Sequence, residues 1–505
     1  MKVNEEYYKN ILDILVDNSE KYPDKIIFED NKCKITYKEF VDLSMGIGRN
    51  ISMTVNGCIN RPIAVYSEQN IKCLASIFGI LFSGNFYTIL DIKSPKERMQ
   101  SIIDTLNPVA IITTMGDKGS ALELGPDVLE YDELCIEGDY EELSYKKLLE
   151  TDPIYVLFTS GSTGVPKGTA ISHRSVMAYA NSVIETFNIS ENTVLGNQTP
   201  FYFSMSVLDI YVTVVSGASM YIIPKILFSF PKKLIEKLNE KKVNMIYWVP
   251  SAMNIVTRFK TFETVKPQYL KWVMFAGETM PVKCVRYWQE NLQGIKYANL
   301  FGPTEITDTC TFHVLDRIYS LEESIPIGKP FTNCEVLIVN DDNELVENGK
   351  EGELLVKGPF VGLGYYNNIG ATVKAFVQNP VNTSYSEIVY RTGDRVKYNE
   401  EGELLYLGRK DFQIKHMGHR IELGEIERAT LTLDTVENVA CVYLDEEKKI
   451  VLFVESKMSV EELEEQIKTK VPKYMIPQEI FVLKKLPLNA NGKIDRIKLK
   501  EERKK

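Results

Sequence analysis

The sequence predicts an α/β protein: a large N-terminal domain built on α/β sheets with a small β-barrel-like part, then a smaller α+β domain at the C-terminus. Three observations carry this. Short apolar, β-rich runs at 62–66, 109–113, 154–158, 245–249 and 272–275 alternate with helix-period segments such as 172–187 and 233–241, the pattern of largely parallel sheets with crossover helices. Near residue 340 the texture shifts to short strands with turn signals: 336–339, then Asp341-Asp342-Asn343, then 352–356. After Gly408-Arg409-Lys410-Asp411 a compact stretch with its own βαβ pattern runs to the end. At 505 residues the chain exceeds what one hydrophobic core usually holds, so the expected units are 1–410 and 411–505.

The remaining bulk features exclude more than they specify. Apolar residues make up 44% and charged residues 25%, as in ordinary globular proteins. A net charge of −10 argues against nucleic acid as the main partner. The eight cysteines have no metal or redox spacing and suit reduced, mostly buried thiols. The four histidines form no ligand motif. The N-terminus lacks the basic start and apolar run of a signal peptide; Ile11, Leu12 and Leu15 suit an amphipathic helix instead. The longest apolar stretch, 74–81, is too short to span a bilayer. A cytoplasmic protein without membrane insertion is expected.

The strongest local signal is Leu157-Phe158-Thr159-Ser160-Gly161-Ser162-Thr163-Gly164-Val165-Pro166-Lys167-Gly168. A buried strand enters a loop of glycines and hydroxyls, a lysine follows, and a helix begins near Ser172. Glycines let backbone N–H groups approach an anion, hydroxyls add donors and lysine adds charge. The spacing is not that of the kinase and GTPase P-loop.

This loop resembles the phosphate-binding loop of the acyl-adenylate-forming superfamily, and further matches follow in order. They are Asn299-Leu300-Phe301-Gly302-Pro303-Thr304-Glu305, Gly352-Glu353-Leu354, Tyr390-Arg391-Thr392-Gly393-Asp394, Gly408-Arg409-Lys410-Asp411-Phe412-Gln413-Ile414-Lys415, Gly418-His419-Arg420-Ile421-Glu422-Leu423-Gly424-Glu425-Ile426-Glu427 and Pro487-Leu488-Asn489-Ala490-Asn491-Gly492-Lys493-Ile494-Asp495. The texture is nearest the branch of D-alanine–carrier protein ligases and peptide-synthetase adenylation domains. The resemblance implies ATP-dependent activation of a carboxylic acid as its adenylate, with ATP and Mg²⁺ as cofactors, then transfer of the acyl group to a thiol.

By the same resemblance Thr159, Ser160, Gly161, Ser162, Thr163, Gly164 and Lys167 cradle phosphate. Thr304 meets the α-phosphate and Glu305 helps hold Mg²⁺, a hard cation suited to carboxylate oxygen. Asp394 and Arg409 reach the ribose. Adenine packs on Phe301, where relatives more often have tyrosine, with Asn299, Leu300, Gly302, Gly277 and Glu278 around it. Lys493 would stand between carboxylate and phosphate and offset their repulsion. Asp411 matches a hinge about which the small domain swings, and Gly418 the loop that then meets the pantetheine arm.

The acid pocket departs from the amino-acid pattern. Amino-acid-adenylating relatives hold the α-ammonium with an aspartate in Phe-Asp-x-Ser; here the stretch is Phe203-Ser204-Met205-Ser206, with Ser204 in that place. A buried ammonium without counter-charge is costly, so α-amino acids are expected to be poor substrates. The other matched positions are Met205, Leu208, Tyr247, Met274, Ala276, Leu300, Asp308 and Thr309. Asp308 is the exceptional acid among them, suited to a displaced ammonium, as of a β- or ω-amino acid, or to the distal hydroxyl of a hydroxyaryl acid. An Asp308 paired with a neighbouring polar group is the alternative. The sequence shows no carrier segment after the Lys493 motif, so a separate phosphopantetheinyl carrier protein is the expected acceptor. A ligase using coenzyme A, a D-alanine-type ligase and a non-catalytic homologue are the competing readings.

Overall fold

Strands that are apolar at every position must be covered on both faces, which is how parallel strands are packed. The computed structural model describes residues 2–3, 6–116, 118–135, 144–161, 165–410, 413–433, 435–445, 447–487 and 494–503. In it the strands Pro62–Tyr66 and Phe86–Leu90 bury every residue. They lie in a seven-stranded sheet ordered Gly364–Tyr365, Lys167–Ser172, Pro153–Thr159, Phe86–Leu90, Pro62–Tyr66, Ala110–Thr113, Val128–Glu130. The first two join antiparallel and the rest are parallel.

A nine-stranded sheet is parallel from Lys296–Phe301 through Trp272–Phe275, Met245–Trp248, Val194–Asn197 and Ser219–Ile222 to Ile26–Glu29, and antiparallel at both edges. Helices fill the space around the two sheets and share one core with them. The helix Ile71–Phe82 is apolar all round and buries every residue but Lys72, as a helix with no solvent face should. Each of its Ile, Leu and Phe side chains contributes about 1.5–3 kcal/mol on burial. Its neighbour Tyr37–Thr54 starts on a capping box between Thr36 and Glu39.

Residues 335–409 add a five-stranded antiparallel sheet with cores of its own, one of which takes in Phe301, Ile306 and Cys310. The C-terminal part is smaller. A hairpin of Gln413–His416 and His419–Glu422 leads into the helix Leu423–Leu431, followed by a three-stranded sheet of Val436–Leu444, Lys449–Ser456 and Glu479–Val482. Its cores are separate from those of the large part. No described helix is long and apolar enough to cross a membrane. All eight cysteines are free, four of them buried, and Cys33 is exposed.

One local expectation is refined. The helix expected near Ser172 does begin there, but a further strand stands between it and the loop. The phosphate-loop segment turns back as a strand, Lys167–Ser172, antiparallel to Pro153–Thr159, and only then does the helix His173–Phe187 begin. Thr169, Ala170 and Ile171 are buried, and that burial suits a paired strand. Lys167 therefore opens a strand, opposite Thr159.

Candidate active site

The parallel strands Met245–Trp248, Trp272–Phe275 and Lys296–Phe301 end on the same edge, and the segments that leave them carry Ala276, Gly277, Glu278, Gly302, Thr304 and Glu305. Carboxyl ends of parallel strands are where α/β folds bind ligands. A cavity of about 70 Å³ lies there, lined by Ser160, Ser204, Gly277, Thr304, Asp308 and Asp394, among others. The backbone after Thr304–Ile306 is strained. Thr307 has φ 77° and ψ −60°, the rarer γ-turn geometry, and the Asp308 N–H donates to the Ile306 carbonyl at 3.0 Å. The Thr307 hydroxyl donates to the Phe360 carbonyl at 2.8 Å and holds the turn. The turn lets both Glu305 and Asp308 be buried, three residues apart, with Asp308 lining the cavity, where strain often marks function.

On the side expected to take the nucleotide, charges from both parts of the chain interlock. Glu305 accepts from the Tyr365 hydroxyl at 2.7 Å and from Arg420 Nη1 at 2.6 Å. Burial, the largest influence, would raise its carboxyl, but the Arg420 guanidinium and the hydrogen bonds it accepts, that of Tyr365 among them, together hold it below the ordinary value. The Ser160 hydroxyl donates to the Arg420 carbonyl at 2.8 Å, and Arg428 donates to the Gly161 carbonyl at 3.1 Å. Arg98 and Glu425 form a buried ion pair across the same interface. Asp394 and Arg409 are paired at 3.0 Å. Lys415 lies over the Phe301 ring, 4.5 Å from its centroid, on the aromatic face expected to take adenine. Burial lowers the Lys415 amine below its usual value, with Asp394 opposing. Lys167 stands over the Tyr365 ring at 5.2 Å.

The hairpin tip closes the site. Gly418, at φ +80°, packs so tightly that a Cβ there would lie 2.6 Å from Val249 Cγ1. His419 stacks on Tyr474 with centroids 3.6 Å apart and meets Phe203 edge-on at 4.5 Å.

On the acid side, Asp308 Oδ2 accepts from the Tyr179 hydroxyl at 2.7 Å and the Tyr247 hydroxyl at 3.2 Å, and Thr309 Oγ1 lies 2.9 Å from the Tyr179 hydroxyl. Asp308 therefore does pair with neighbouring hydroxyls while lining the cavity. Burial pushes its carboxyl up to about 7 against those two donors. Ser204 Oγ is 3.1 Å from Thr304 Oγ1. Phe203, Met205, Ala276 and Thr309 also line the cavity. Leu208, Met274 and Leu300 do not; they are fully buried in the main core behind it. Tyr247 reaches the site through Asp308 alone. Asn299 is turned to the Pro326 carbonyl at 2.8 Å, and Glu278 lines a different cleft.

Ser162, Thr163, Gly164, Asp411 and Lys493 lie outside the described residues. Sequence reasoning missed Tyr179, Tyr365 and Arg98, and it matched Lys415, Arg420 and Glu425 as motif residues without giving them a role. Lys415, Arg420 and Glu425 stand in or beside the hairpin motif, so a charged residue there was a usable signal; the tyrosines carry none.

The large part matches the model of the AMP-binding enzyme family over residues 15–366, and the model of its C-terminal domain matches over 425–493. The chain belongs to the AMP-binding enzyme family. It is 31% identical to a D-alanine–D-alanyl carrier protein ligase of Bacillus licheniformis, with 97% of this chain and 99% of that protein covered. The fold is similar to that of o-succinylbenzoate CoA synthetase from Bacillus subtilis, at TM-score 0.84 and 21% identity over 98% of both chains. It is equally similar to an adenylation domain from Vibrio cholerae solved with glycyl-adenosine-5′-phosphate, at TM-score 0.83 and 22% identity over 100% of this chain and 99% of that one. As a ligase of this family the enzyme works with ATP and Mg²⁺. Among the described residues no cluster of three or more His, Cys, Asp or Glu could cage an ion; Glu305, the carboxylate expected to help hold Mg²⁺, is buried and paired with Arg420, and its oxygens are of the hard type that Mg²⁺ takes beside phosphate and water.

Proposed function

We propose that this AMP-binding enzyme activates a small carboxylic acid that lacks an α-amino group and carries a polar group farther out, such as a β- or ω-amino acid or a hydroxyaryl acid. It then passes the acyl group to the phosphopantetheine thiol of a separate carrier protein. One observation carries the substrate half. A buried carboxylate, Asp308, faces the cavity beneath two tyrosine hydroxyls, while Ser204, beside Thr304, occupies the place where amino-acid-activating relatives hold an ammonium. Losing a charge-assisted bond in a desolvated site costs about 2–5 kcal/mol, enough to reorder acids by tens-fold or more.

The carrier half is supported by the curated relatives, which are named carrier protein ligases. Free cysteines throughout suit a cytoplasmic enzyme.

In this reading residues 1–410 bind nucleotide and acid, and residues 411–505 turn about Asp411. In the adenylating pose Lys493 stabilises the charge that gathers between carboxylate and phosphate. Arg420 must then leave Glu305, whose carboxylate is needed for Mg²⁺. The arrangement described above is the one suited to transfer: Arg420 caps Glu305 and the Gly418 hairpin lies against Gly277.

Pyrophosphate exchange with β-alanine, hydroxybenzoates, D-alanine and L-alanine tests this. One of the first two classes should exchange best. An α-amino acid as the best substrate overturns the pocket reading.

A further inference from the structure

A cleft of about 910 Å³ runs between the 250–281 segment and the C-terminal part. It adjoins the small cavity, and the side chains of Arg409 and Lys415 line both spaces. A Cβ on Gly277 would lie 3.9 Å from the Gly418 Cα, and those two glycines line the cavity. Glu278, the next residue, lines the cleft. Its carboxylate is held by Ser251 and by the Gly418 N–H, while Oε1 is buried with no partner among the described residues. The carboxylate is thus oriented at one oxygen and left unpartnered at the other, beside the wall between the two spaces.

We propose that Glu278 is the general base of the thiol-transfer half-reaction. This rests on the reading that an acyl-adenylate in the small cavity is attacked by a thiol arriving through the cleft. In the step, Glu278 takes the S–H proton as sulfur bonds to the acyl carbon. The acyl carbon–oxygen bond to phosphate then breaks, and AMP leaves with that electron pair. The protonated carboxyl afterwards returns its proton to water. Burial pushes the Glu278 carboxyl above its ordinary value, which brings it nearer a thiol's and improves the match.

The titratable groups facing it are Lys448 and Tyr443 from the C-terminal part and Cys284 on its own side. His416 lines the same cleft, but its Nδ1 lies 3.3 Å from the Tyr443 hydroxyl and burial lowers its pKa. The hairpin supplies the Gly418 N–H, so the base is oriented only while the hairpin is docked.

The test supplies pantetheine and the preformed adenylate of whichever acid exchanges best, and follows single-turnover thioester formation across pH. Adenylate formation is thereby bypassed. Glu278→Gln keeps acceptors for Ser251 and Gly418 but takes no proton. Its rate at pH 7 should fall about 10²–10⁴-fold. The deficit should narrow as pH climbs through the thiol's own ionisation near ~8.5, where thiolate needs no base. Glu278→Ala should behave likewise with an added loss from the unanchored hairpin. A Glu278→Gln rate within about threefold of wild type, or a deficit of constant size at every pH, overturns the assignment. If no acid supports pyrophosphate exchange in the wild type, the functional reading itself fails and this proposal falls with it.

Discussion

The two sides of the small cavity treat buried charge in opposite ways. On the nucleotide side Glu305 has Arg420, Asp394 has Arg409, and Glu425 has Arg98. On the side expected to take the acid, Asp308 is hydrogen-bonded only by hydroxyls among the described side chains, from Tyr179 and Tyr247, with the Lys415 amine acting on it from farther off. The first kind of site is stable as it stands and is opened by exchanging one cation for another. The second holds a carboxylate whose ionisation is held back by burial, and it gains most when a ligand brings the missing partner. The paired side thus suits a conformational step and the unpaired side suits selection of the acid. Two of the three pairs join the large and small parts of the chain, so the nucleotide side responds to docking while Asp308 does not.

The largest test removes the charge proposed to work only when docking changes. Lys493→Ala should cut pyrophosphate exchange about 10²–10³-fold while leaving thioester formation from supplied acyl-adenylate largely intact. Near-normal exchange would remove Lys493 from the adenylation step.

Breaking the interlocked side comes next. Glu425→Ala leaves Arg98 buried without its partner, which costs about 3–5 kcal/mol in such pairs. The cost should appear as lost docking: thioester formation falls and protease cleavage near 411–412 speeds up. If thiolation and cleavage are unchanged, the pair does not hold the docked arrangement.

On the unpaired side, Asp308→Ala should cost about 2–5 kcal/mol in kcat/KM for the preferred acid. An analogue lacking the distal polar group should lose much less. Equal losses for both acids would mean that Asp308 serves the fold and not recognition.

The mildest test uses pH. The Asp308 carboxyl is pushed up to about 7 in the folded chain from an ordinary 3.8. Between those values the folded protein keeps a proton that the unfolded chain has released, so stability falls as pH rises through that window. Asp308→Asn removes this loss. Its advantage over wild type in thermal unfolding should grow from about pH 4 to pH 7, reach at most ~4 kcal/mol, and stay level above. A flat difference across that range would mean that the carboxyl titrates normally.

Strand and helix placement was legible because it rests on local periodicity. The runs at 62–66 and 272–275 are strands with those bounds, and the segment at 172–187 is a helix from His173. The hydroxyl-and-glycine loop was legible as a motif, but its return as the strand Lys167–Ser172 was not. That strand is held by partners on Pro153–Thr159 and Gly364–Tyr365, the second of them far along the chain.

Composition, motif order and residue chemistry by themselves determined the α/β class, the family and the presence of Ser204 and Asp308 in the acid region, since each is a property of contiguous residues. Tertiary structure alone decided which charges meet. Arg420 reaches Glu305 across 115 positions of chain, and Tyr179 reaches Asp308 across 129. It also decided that Leu208, Met274 and Leu300 lie behind the cavity wall, and that Glu278 faces a different space from its neighbour Gly277. Such contacts depend on how sheets, hairpin and helices pack, and a long-range pairing leaves no periodic trace in the residues that make it.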